Sequence, residues 1–414
     1  MSRFWLREIR VDNYRCFEEL RLPLEEDTTV LFAENGGGKT ALLTALAMGV
    51  AVFQRRSPKN LRLDARRDPR MRTLDVRGRR EPVGPCKLVW TATVGESDSV
   101  TWSMTAHPSS VRTTTHRQPI IEAIQEVRAP GERWPLFAWY GADRLARIGG
   151  RPRKVQRTGD RWEAYASALD PNLDEIPLLQ WFQDEMLEDV GRRQHEEPER
   201  SFDKAVMEAA VRATPRVTNA WYDPVEQSPM VVFEDGRAAT WSELSDGYSK
   251  SIALVADIAR RAVMLNAFDG ANAPARVEGV VLIDKLDLHL DPRWQRVALP
   301  RLRNTFPRLQ LVVTTHSPQA LSSAKNRQVR RLFDWKLQDY PVFVEGRDTN
   351  AILREYMNTD DRDAEGTRWL QKLYDFIDQS RHEEAAELYR EMLARWGDLD
   401  PALIRAKALM DLEE

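Results

Sequence analysis

The stretch that most constrains the fold is an uninterrupted apolar run that ends in a carboxylate. Residues 280–283 read VVLI and are followed at once by Asp284. A run of this kind is typical of a strand that is buried on both faces of a parallel sheet. Ligands of open α/β sheets bind at the carboxyl edge of the strands, which is where Asp284 would lie. The run therefore predicts an α/β fold with a ligand site at that edge.

A glycine-rich turn far upstream indicates what the ligand is. Residues 33–40 read AENGGGKT, with a short apolar strand before them and an apolar helix from Lys39 onward. In this context the backbone N–H groups and the helix N-terminus bind phosphates, the lysine reaches the β and γ phosphates, and the hydroxyl of Thr40 binds Mg²⁺. Ala33 replaces the first glycine of the pattern, which is tolerated where φ is negative. The loop and Asp284 together predict ATP and Mg²⁺ as cofactors.

Two further motifs are candidates for the same site. Residues 244–248 read LSDGY and precede a long apolar helix, so the helix N-terminus could bind an anion; a helix cap without any ligand is the alternative. His316 follows the apolar strand 309–313 and would share the sheet edge with Asp284. Because several strand ends converge there, phosphate contact is favoured over a structural role for this histidine.

The order of these four motifs resembles the ABC-type ATPases, in the branch that includes RecF-like DNA-repair and chromosome-cohesion ATPases. The resemblance implies an α/β fold with a mixed parallel sheet, a small antiparallel β-subdomain, a helical insertion and a C-terminal helical region. It also implies a head-to-tail dimer that holds two nucleotides. The implied nucleotide-binding residues are Arg15, Asn35, Gly36, Gly37, Gly38, Lys39, Thr40 and Asp284. Of these, Thr40 and Asp284 would bind Mg²⁺, and His316 would contact the γ-phosphate. Ser245, Asp246 and Gly247 would act from the partner subunit.

A finer resemblance is to bacterial anti-phage defence ATPases of the Septu and retron-associated type. It rests on DKLDLHLDP at 284–292, IRVDNYRCFEEL at 9–20 and YGADR at 140–144. It implies a subunit that oligomerises on ATP and regulates a separate nuclease or toxin effector, expected to be of HNH type, with DNA or RNA as a further partner. A RecF-like DNA-repair ATPase is the main alternative, and a scaffold that binds ATP without turnover is the third.

Lys285 departs from the pattern of this group. The family carries a glutamate here, which acts as a general base on the attacking water and contributes about 10²–10⁴-fold. A cationic lysine cannot do so, and it would place positive charge beside the γ-phosphate. Either the chain is held in its ATP-bound state, or Asp287 serves as a displaced acid. The first reading is preferred, because the resemblance puts Asp287 nearer the dimer interface.

Charge and motif order predict the domain organisation. An ATPase domain is expected over 1–336, with a basic loop at 51–85 and a helical insertion at about 160–225, followed by an acidic helical region at 337–414. Residues 51–80 carry eleven Lys/Arg against three Asp/Glu, whereas residues 337–414 carry ten against nineteen. The basic loop either contacts nucleic acid or is solvated surface.

The acidic tail contains a segment that resembles the start of a second enzymatic domain. Residues 340–346 read YPVFVEG, a predicted strand followed by an acid, which is how the TOPRIM nuclease domain of related proteins begins. Such a nuclease needs more carboxylates after a second buried strand, and Asp361 and Asp363 lie in a polar loop without one. A nuclease is therefore rejected. Three amphipathic helices are expected instead, which either dock on a partner or complete the core.

The compartment is predicted from the cysteines and the apolar runs. Cys16 and Cys86 cannot form a disulfide framework, and their spacing matches no metal motif. The N-terminus lacks an apolar h-region, and no segment approaches the ~20 apolar residues of a membrane span. A cytoplasmic protein is expected.

Overall fold

The computed structural model describes residues 4–54, 61–74, 80–129, 131–144, 160–172, 175–196, 200–360 and 362–413. Parts of the predicted basic loop 51–85, and Asp361, lie outside the described residues. The chain forms two compact units, Met1–Arg347 and Asp348–Glu414. Residues 337–347 thus belong with the first unit.

The strands within the described residues are, in chain order, β1 (Phe4–Tyr14), β2 (Phe17–Pro23), β3 (Thr28–Phe32), β4 (Met71–Thr73), β5 (Arg80–Pro82), β6 (Cys86–Val94), β7 (Ser97–His107), β8 (Arg112–His116), β9 (Leu136–Tyr140), β10 (Val217–Asp223), β11 (Ser228–Phe233), β12 (Ala238–Thr240), β13 (Gly279–Ile283), β14 (Leu309–Thr314), β15 (Val329–Phe333) and β16 (Lys336–Leu337).

The α-helices within the same residues are α1 (Lys39–Val50), α2 (Gln118–Val127), α3 (Ile176–Gln194), α4 (Phe202–Ala213), α5 (Asp246–Leu265), α6 (Ala273–Arg276), α7 (Pro292–Thr305), α8 (Pro318–Ser322), α9 (Thr349–Tyr356), α10 (Ala364–Asp378), α11 (His382–Trp396) and α12 (Pro401–Glu413).

The central sheet of the first unit has the order β16-β15-β3-β14-β13-β9. Its pairs are parallel except for β15–β16, and the strands β3, β9, β13 and β14 are buried along their whole length. This is what an apolar run without alternation predicts. Because β3, β13 and β14 are adjacent and parallel, the phosphate loop, Asp284 and His316 follow their strands at one edge of the sheet.

A second, antiparallel sheet packs beside the first, with the order β2-β1-β6-β7-β8. The register of β1 shifts between Leu6 and Glu8. There the buried amide of Gln310, on β14, accepts from the N–H of Leu6 at 2.8 Å and donates to its carbonyl at 2.7 Å. A side chain of one sheet therefore satisfies backbone groups that the bulge in the other sheet frees.

Helix α1 lies between these two sheets and is buried almost all round. The indole N–H of Trp90 donates to the carbonyl of Ala45 at 3.0 Å, and that of Trp102 to Gly49 at 3.2 Å. The two tryptophans stack with centroids 5.9 Å apart. A helix that is apolar on every face needs such a position, since it has no side to turn to water.

The helical insertion comprises α3 and α4, which pack on α5, and it is followed by the small sheet β10-β11-β12. The predicted hairpin turn at Asp235–Gly236 joins β11 and β12. Helix α7 begins as expected, because the carboxylate of Asp291 caps it by accepting from the N–H groups of Arg293 and Trp294. The predicted fold class is confirmed.

The second unit is helical, with a core built from α10, α11 and α12 around Leu373, Ile377, Ala385, Met392, Leu403 and Ala406. The three predicted helices are confirmed, and α9 precedes them. The strand predicted at residues 340–346 is wrong. That segment is irregular, and the N–H groups of Val344 and Glu345 donate to the side chain of Asn326 instead of to a neighbouring strand. No helix among the described residues is long and apolar enough to cross a membrane.

Candidate nucleotide site

The glycine-rich loop between β3 and α1 has the backbone of an anion-binding turn. Gly36 (φ 79°) and Gly38 (φ 88°) adopt left-handed conformations, and Gly38 is the N-cap of α1. A Cβ on Gly38 would collide with the ring of Phe17 and lie 2.9 Å from the Sγ of Cys16, so the turn between β1 and β2 closes against the loop. Ala33 is not among the residues with positive φ, which explains why it can replace a glycine.

The lysine of the loop is held over it and is only 7% exposed. The ammonium of Lys39 donates to the carbonyl of Ala33 at 2.9 Å and to that of Glu34 at 3.0 Å. Burial lowers the pKa of Lys39 to about 8; the charge of Asp284 opposes this shift and that of Lys285 adds to it. The ammonium therefore lies at the phosphate loop, where nearby carboxylates compensate its charge only in part. Such a site favours an anionic ligand.

Asp284 links the phosphate loop to the ends of β13 and β14. Its Oδ2 accepts from the hydroxyl of Thr40 at 2.8 Å, and its Oδ1 accepts from the hydroxyl of Thr314 at 2.5 Å. The carboxylate is only 3% exposed, whereas Thr40 is exposed. Three elements that are distant in sequence, namely the start of α1 and the ends of β13 and β14, thus fix one carboxylate at the sheet edge.

The backbone after Asp284 turns sharply, and Arg144 holds the turn. Lys285 is in the left-handed region with φ 51°, and its N–H donates to Thr314 at 2.8 Å. The buried guanidinium of Arg144 donates to the carbonyls of Gly141 (3.1 Å), Asp284 (2.6 Å) and Lys285 (3.1 Å). Burial lowers the pKa of Arg144 to about 10, which leaves it cationic at neutral pH. The exposed side chain of Lys285 is close enough to lower the pKa values of Lys39 and His316.

His316 and Asp287 lie in the same electrostatic cluster. Asp287 accepts from the hydroxyl of Thr315 at 2.6 Å, and the main-chain nitrogen of His316 is 3.4 Å from the same oxygen. Burial is the main reason that the pKa of His316 is lowered, with Lys39 adding to the effect and Asp287 opposing it. At neutral pH the ring is therefore uncharged and can donate one hydrogen bond to a phosphate oxygen.

Arg15 lies in the turn that closes against the phosphate loop, but its guanidinium is engaged elsewhere. Both Nε and a terminal nitrogen are 3.2 Å from Oδ1 of Asp68, which is fully buried. Its contact with a nucleotide remains a prediction.

The LSDGY motif is placed at the exposed N-terminus of α5. Ser245 is the N-cap but makes no side-chain cap bond, and Asp246 is exposed. A Cβ on Gly247 would lie 2.6 Å from the carbonyl of His289, so glycine allows the motif to pack on the turn after β13. The ammonium of Lys250 is 2.9 Å from Nε2 of that histidine. The carboxylate of Asp246 is 3.8 Å from the same ammonium. The motif is thus exposed at the start of α5 and packs on the segment that follows Asp284.

The oxygen ligands at this edge of the central sheet fit the ATP and Mg²⁺ that the sequence predicts. Thr40 and Asp284 offer hard oxygen ligands, and Mg²⁺ binds nucleotide phosphates with one or two protein oxygens of this kind. The ion, when bound, would neutralise phosphate charge. The chain itself would bind the phosphates through the loop and Lys39, and would place Lys285 and His316 beside the terminal phosphate.

Thr314 and Arg144 both contact Asp284, and the sequence did not predict these contacts. Thr314 ends β14 directly before the Thr-His pair, and Arg144 ends the YGADR element. Their position at strand ends on the ligand edge was a usable signal. Their partners were not predictable, since Arg144 binds backbone carbonyls 140 residues away.

Comparison with known proteins gives a family match over more than half of the chain. A family model described as "AAA domain, putative AbiEii toxin, Type IV TA system" matches residues 95–322. A probable ATPase of retron Ec83 from Escherichia coli is 24% identical over 477 aligned positions, covering 97% of this chain and 85% of that protein. The phosphate loop lies before the span of the family model, so its assignment rests on its own residues and geometry.

Shorter and more distant likenesses were also found. The Septu protein PtuA of Bacillus mycoides (strain KBAB4) is 42% identical over 92 residues, which are 22% of this chain and 12% of that protein. Among solved structures, an Smc head bound to the C-winged helix domain of ScpA has a TM-score of 0.48 at 14% identity and covers 82% of this chain and 98% of its own. The recombination mediator RecF has a TM-score of 0.43 at 12% identity, with 81% and 98% covered.

Proposed function

Since the chain belongs to the family described as "AAA domain, putative AbiEii toxin, Type IV TA system", we propose that it is the ATP-binding subunit of an anti-phage defence complex. In this proposal the subunit oligomerises on ATP and regulates a separate nuclease or toxin effector. The chain is an ATPase of the ABC type, related to retron and Septu proteins. The subunit organisation and the control of an effector are the proposed parts.

The observation that carries the proposal is the bond between the hydroxyl of Thr40 and the carboxylate of Asp284. It joins the first turn of α1 to the end of β13, and both side chains carry oxygen atoms that can bind Mg²⁺. A loop that merely capped a helix would not need a buried carboxylate at this point. The proposed nucleotide ligands are Asn35, Gly36, Gly37, Gly38, Lys39, Thr40, Asp284 and His316, with Arg15 on the rim.

The oligomer is proposed from the N-terminus of α5. Ser245 and Asp246 are exposed, and Ser245 makes no side-chain cap bond, while the carboxylate of Asp246 lies 3.8 Å from the ammonium of Lys250 on the same helix. N–H groups at the start of a helix lack acceptors within it and attract anions. We infer that Ser245, Asp246 and Gly247 of one subunit complete the ATP site of the other in a head-to-tail dimer. Such a contact repeats identically in both directions in a two-fold dimer.

Slow hydrolysis is proposed from Lys285. Its charge faces Lys39 and His316, and no carboxylate occupies its position. Asp287, the alternative base, is bound to Thr315 and reaches the same cluster electrostatically. We propose that ATP holds the oligomer and that Lys285 delays its release. The effector, expected to be an HNH-type nuclease, would remain silent in that state; contact with DNA or RNA is a further proposed element.

Co-expression with the products of neighbouring reading frames tests this function. With Mg²⁺ and ATP we expect sedimentation to show a dimer or larger species, and a nuclease or toxin subunit to purify with the chain at fixed stoichiometry. A mass that does not change at saturating ATP would contradict the oligomer. A chain that brings down no subunit, but binds gapped duplex DNA alone, would instead support a RecF-like repair ATPase.

A further inference from the structure

Trp335 contacts the phosphate loop from an element that the proposed mechanism does not otherwise use. It lies at the tip of the hairpin formed by β15 and β16. Its indole Nε1–H donates to the carbonyl of Gly36 at 3.1 Å. The side chain of a residue 299 positions downstream thus binds the apex of the loop.

The turn itself does not explain the tryptophan. Phe333 pairs with Lys336, which leaves Asp334 (φ 47°) and Trp335 (φ 58°) as a two-residue loop with both residues left-handed. Turns of this type favour Asn-Gly, because a side chain with a Cβ is strained in that region. Trp335 also remains 49% exposed, so burial does not account for its presence. A strained residue at such a position points to a functional contact.

The contact acts on one peptide unit of the phosphate loop. The carbonyl of Gly36 accepts from Trp335, and the N–H of the same peptide, which belongs to Gly37, donates to the carbonyl of Glu34 at 3.1 Å. Both polar groups of this peptide are therefore held. A glycine with positive φ can otherwise rotate its peptide at little cost. Rotation here would break both bonds.

We propose that Trp335 is a positioning residue that fixes the Gly36–Gly37 peptide and so keeps the phosphate loop ready for an anion. The inference rests on the proposed nucleotide binding and adds a residue outside the motifs of the site. With this peptide fixed, the N–H groups at the start of α1 face the ligand without a prior rearrangement of the loop. Pre-organisation of this kind lowers the cost of binding.

The test compares Trp335→Phe and Trp335→Ala in the full chain, with Mg-ATP and Mg-tripolyphosphate as ligands. Phenylalanine keeps most of the ring but removes the donor. We expect both variants to bind both ligands roughly two- to tenfold more weakly, the range of one lost hydrogen bond. The apo melting temperature of Trp335→Phe should equal that of the unaltered chain. Phe333→Leu is the matched control: this neighbour is similarly exposed (41%), its ring centroid lies 5.7 Å from the guanidinium carbon of Arg331, and the variant should bind normally.

Three outcomes would overturn the inference. Normal affinity of Trp335→Phe would mean that the N–H donor has no role. Weaker binding of ATP with unchanged binding of tripolyphosphate would mean that the ring contacts the nucleobase instead of shaping the loop. A lower apo melting temperature of Trp335→Phe that accounts for the lost affinity would mean a general structural role. If the unaltered chain bound neither ligand, the proposed function itself would fail, and the inference with it.

Discussion

The guanidinium of Arg144 donates to the main-chain carbonyl of Asp284 at 2.6 Å, from a buried position behind the sheet edge. The bond fixes the backbone directly after the carboxylate, since the same group also reaches the carbonyl of Lys285. An arginine fits this place because its planar fork offers several donors in fixed directions.

Replacing Arg144 by lysine should therefore impair turnover more than binding. A lysine keeps the charge but cannot bind three carbonyls in this geometry, so Asp284 and residue 285 lose their fixed position. We expect a turnover rate lower by roughly 10- to 100-fold and an ATP Kd within about threefold of normal. Both are measured in a Lys285→Glu chain, where turnover is readily followed. A Kd that rises in parallel with the loss of rate would contradict a positioning role.

Replacing Lys285 by glutamate should raise turnover. The substitution supplies a general base and removes a cation beside the terminal phosphate, so we expect an increase of about 10²–10⁴-fold. Steady-state phosphate release checks this. Lys285→Gln, which is neutral but not basic, is the control and should change the rate far less. Equal rates for Lys285→Glu and the unaltered chain would exclude a trapped ATP state, and a loss of activity in Asp287→Asn would then identify Asp287 as the base.

Nucleotide affinity should fall as the pH rises through about 8. Lys39 has to be cationic to bind phosphate, and burial lowers its pKa to about 8 in the free protein. Bound phosphate stabilises the cation, so binding takes up a proton above that pH, and the ATP Kd should rise by up to about tenfold per pH unit there. Because the charge of Lys285 contributes to the lowered pKa, Lys285→Gln should move the midpoint to higher pH. Titration calorimetry in buffers of different ionisation enthalpy detects the proton. A flat profile between about pH 7 and about pH 9 would contradict this assignment.

Mixing two inactive variants should restore activity if the sites are shared between subunits. In a Lys285→Glu background, Lys39→Ala removes phosphate binding and Ser245→Arg blocks the α5 N-terminus. A head-to-tail pair of one chain of each kind has one intact site, so an equimolar mixture should reach about one quarter of the parent rate. A mixture that is no more active than its components would contradict action from the partner subunit.

The fold and the chemical groups of the site were largely predictable, because both follow from local patterns. Apolar runs predict β3, β13 and β14, and the residues directly after each strand predict which groups meet at one edge of the sheet. The bonds among those residues were not predictable. Arg144, Thr314 and Trp335 act on partners that are distant in sequence, and no periodicity encodes such pairs.

The error at residues 340–346 has a related cause. The apolar residues of YPVFVEG favour a strand, but a strand also needs a neighbouring strand with unpaired N–H and C=O groups. The side chain of Asn326 occupies the N–H groups of Val344 and Glu345, so the segment is irregular although its composition favours β-structure. Tertiary context overrides such preferences.

The two indole bonds to α1 limit how the protein can respond to a nucleotide. Trp90 and Trp102 hold the carbonyls of Ala45 and Gly49, and a slide of α1 along its axis would break both bonds. A slide of the helix relative to β6 and β7 is therefore opposed by the loss of both bonds. A displacement that begins at the phosphate loop is then either confined to residues 33–38, or it rotates α1 and the antiparallel sheet together as one rigid body.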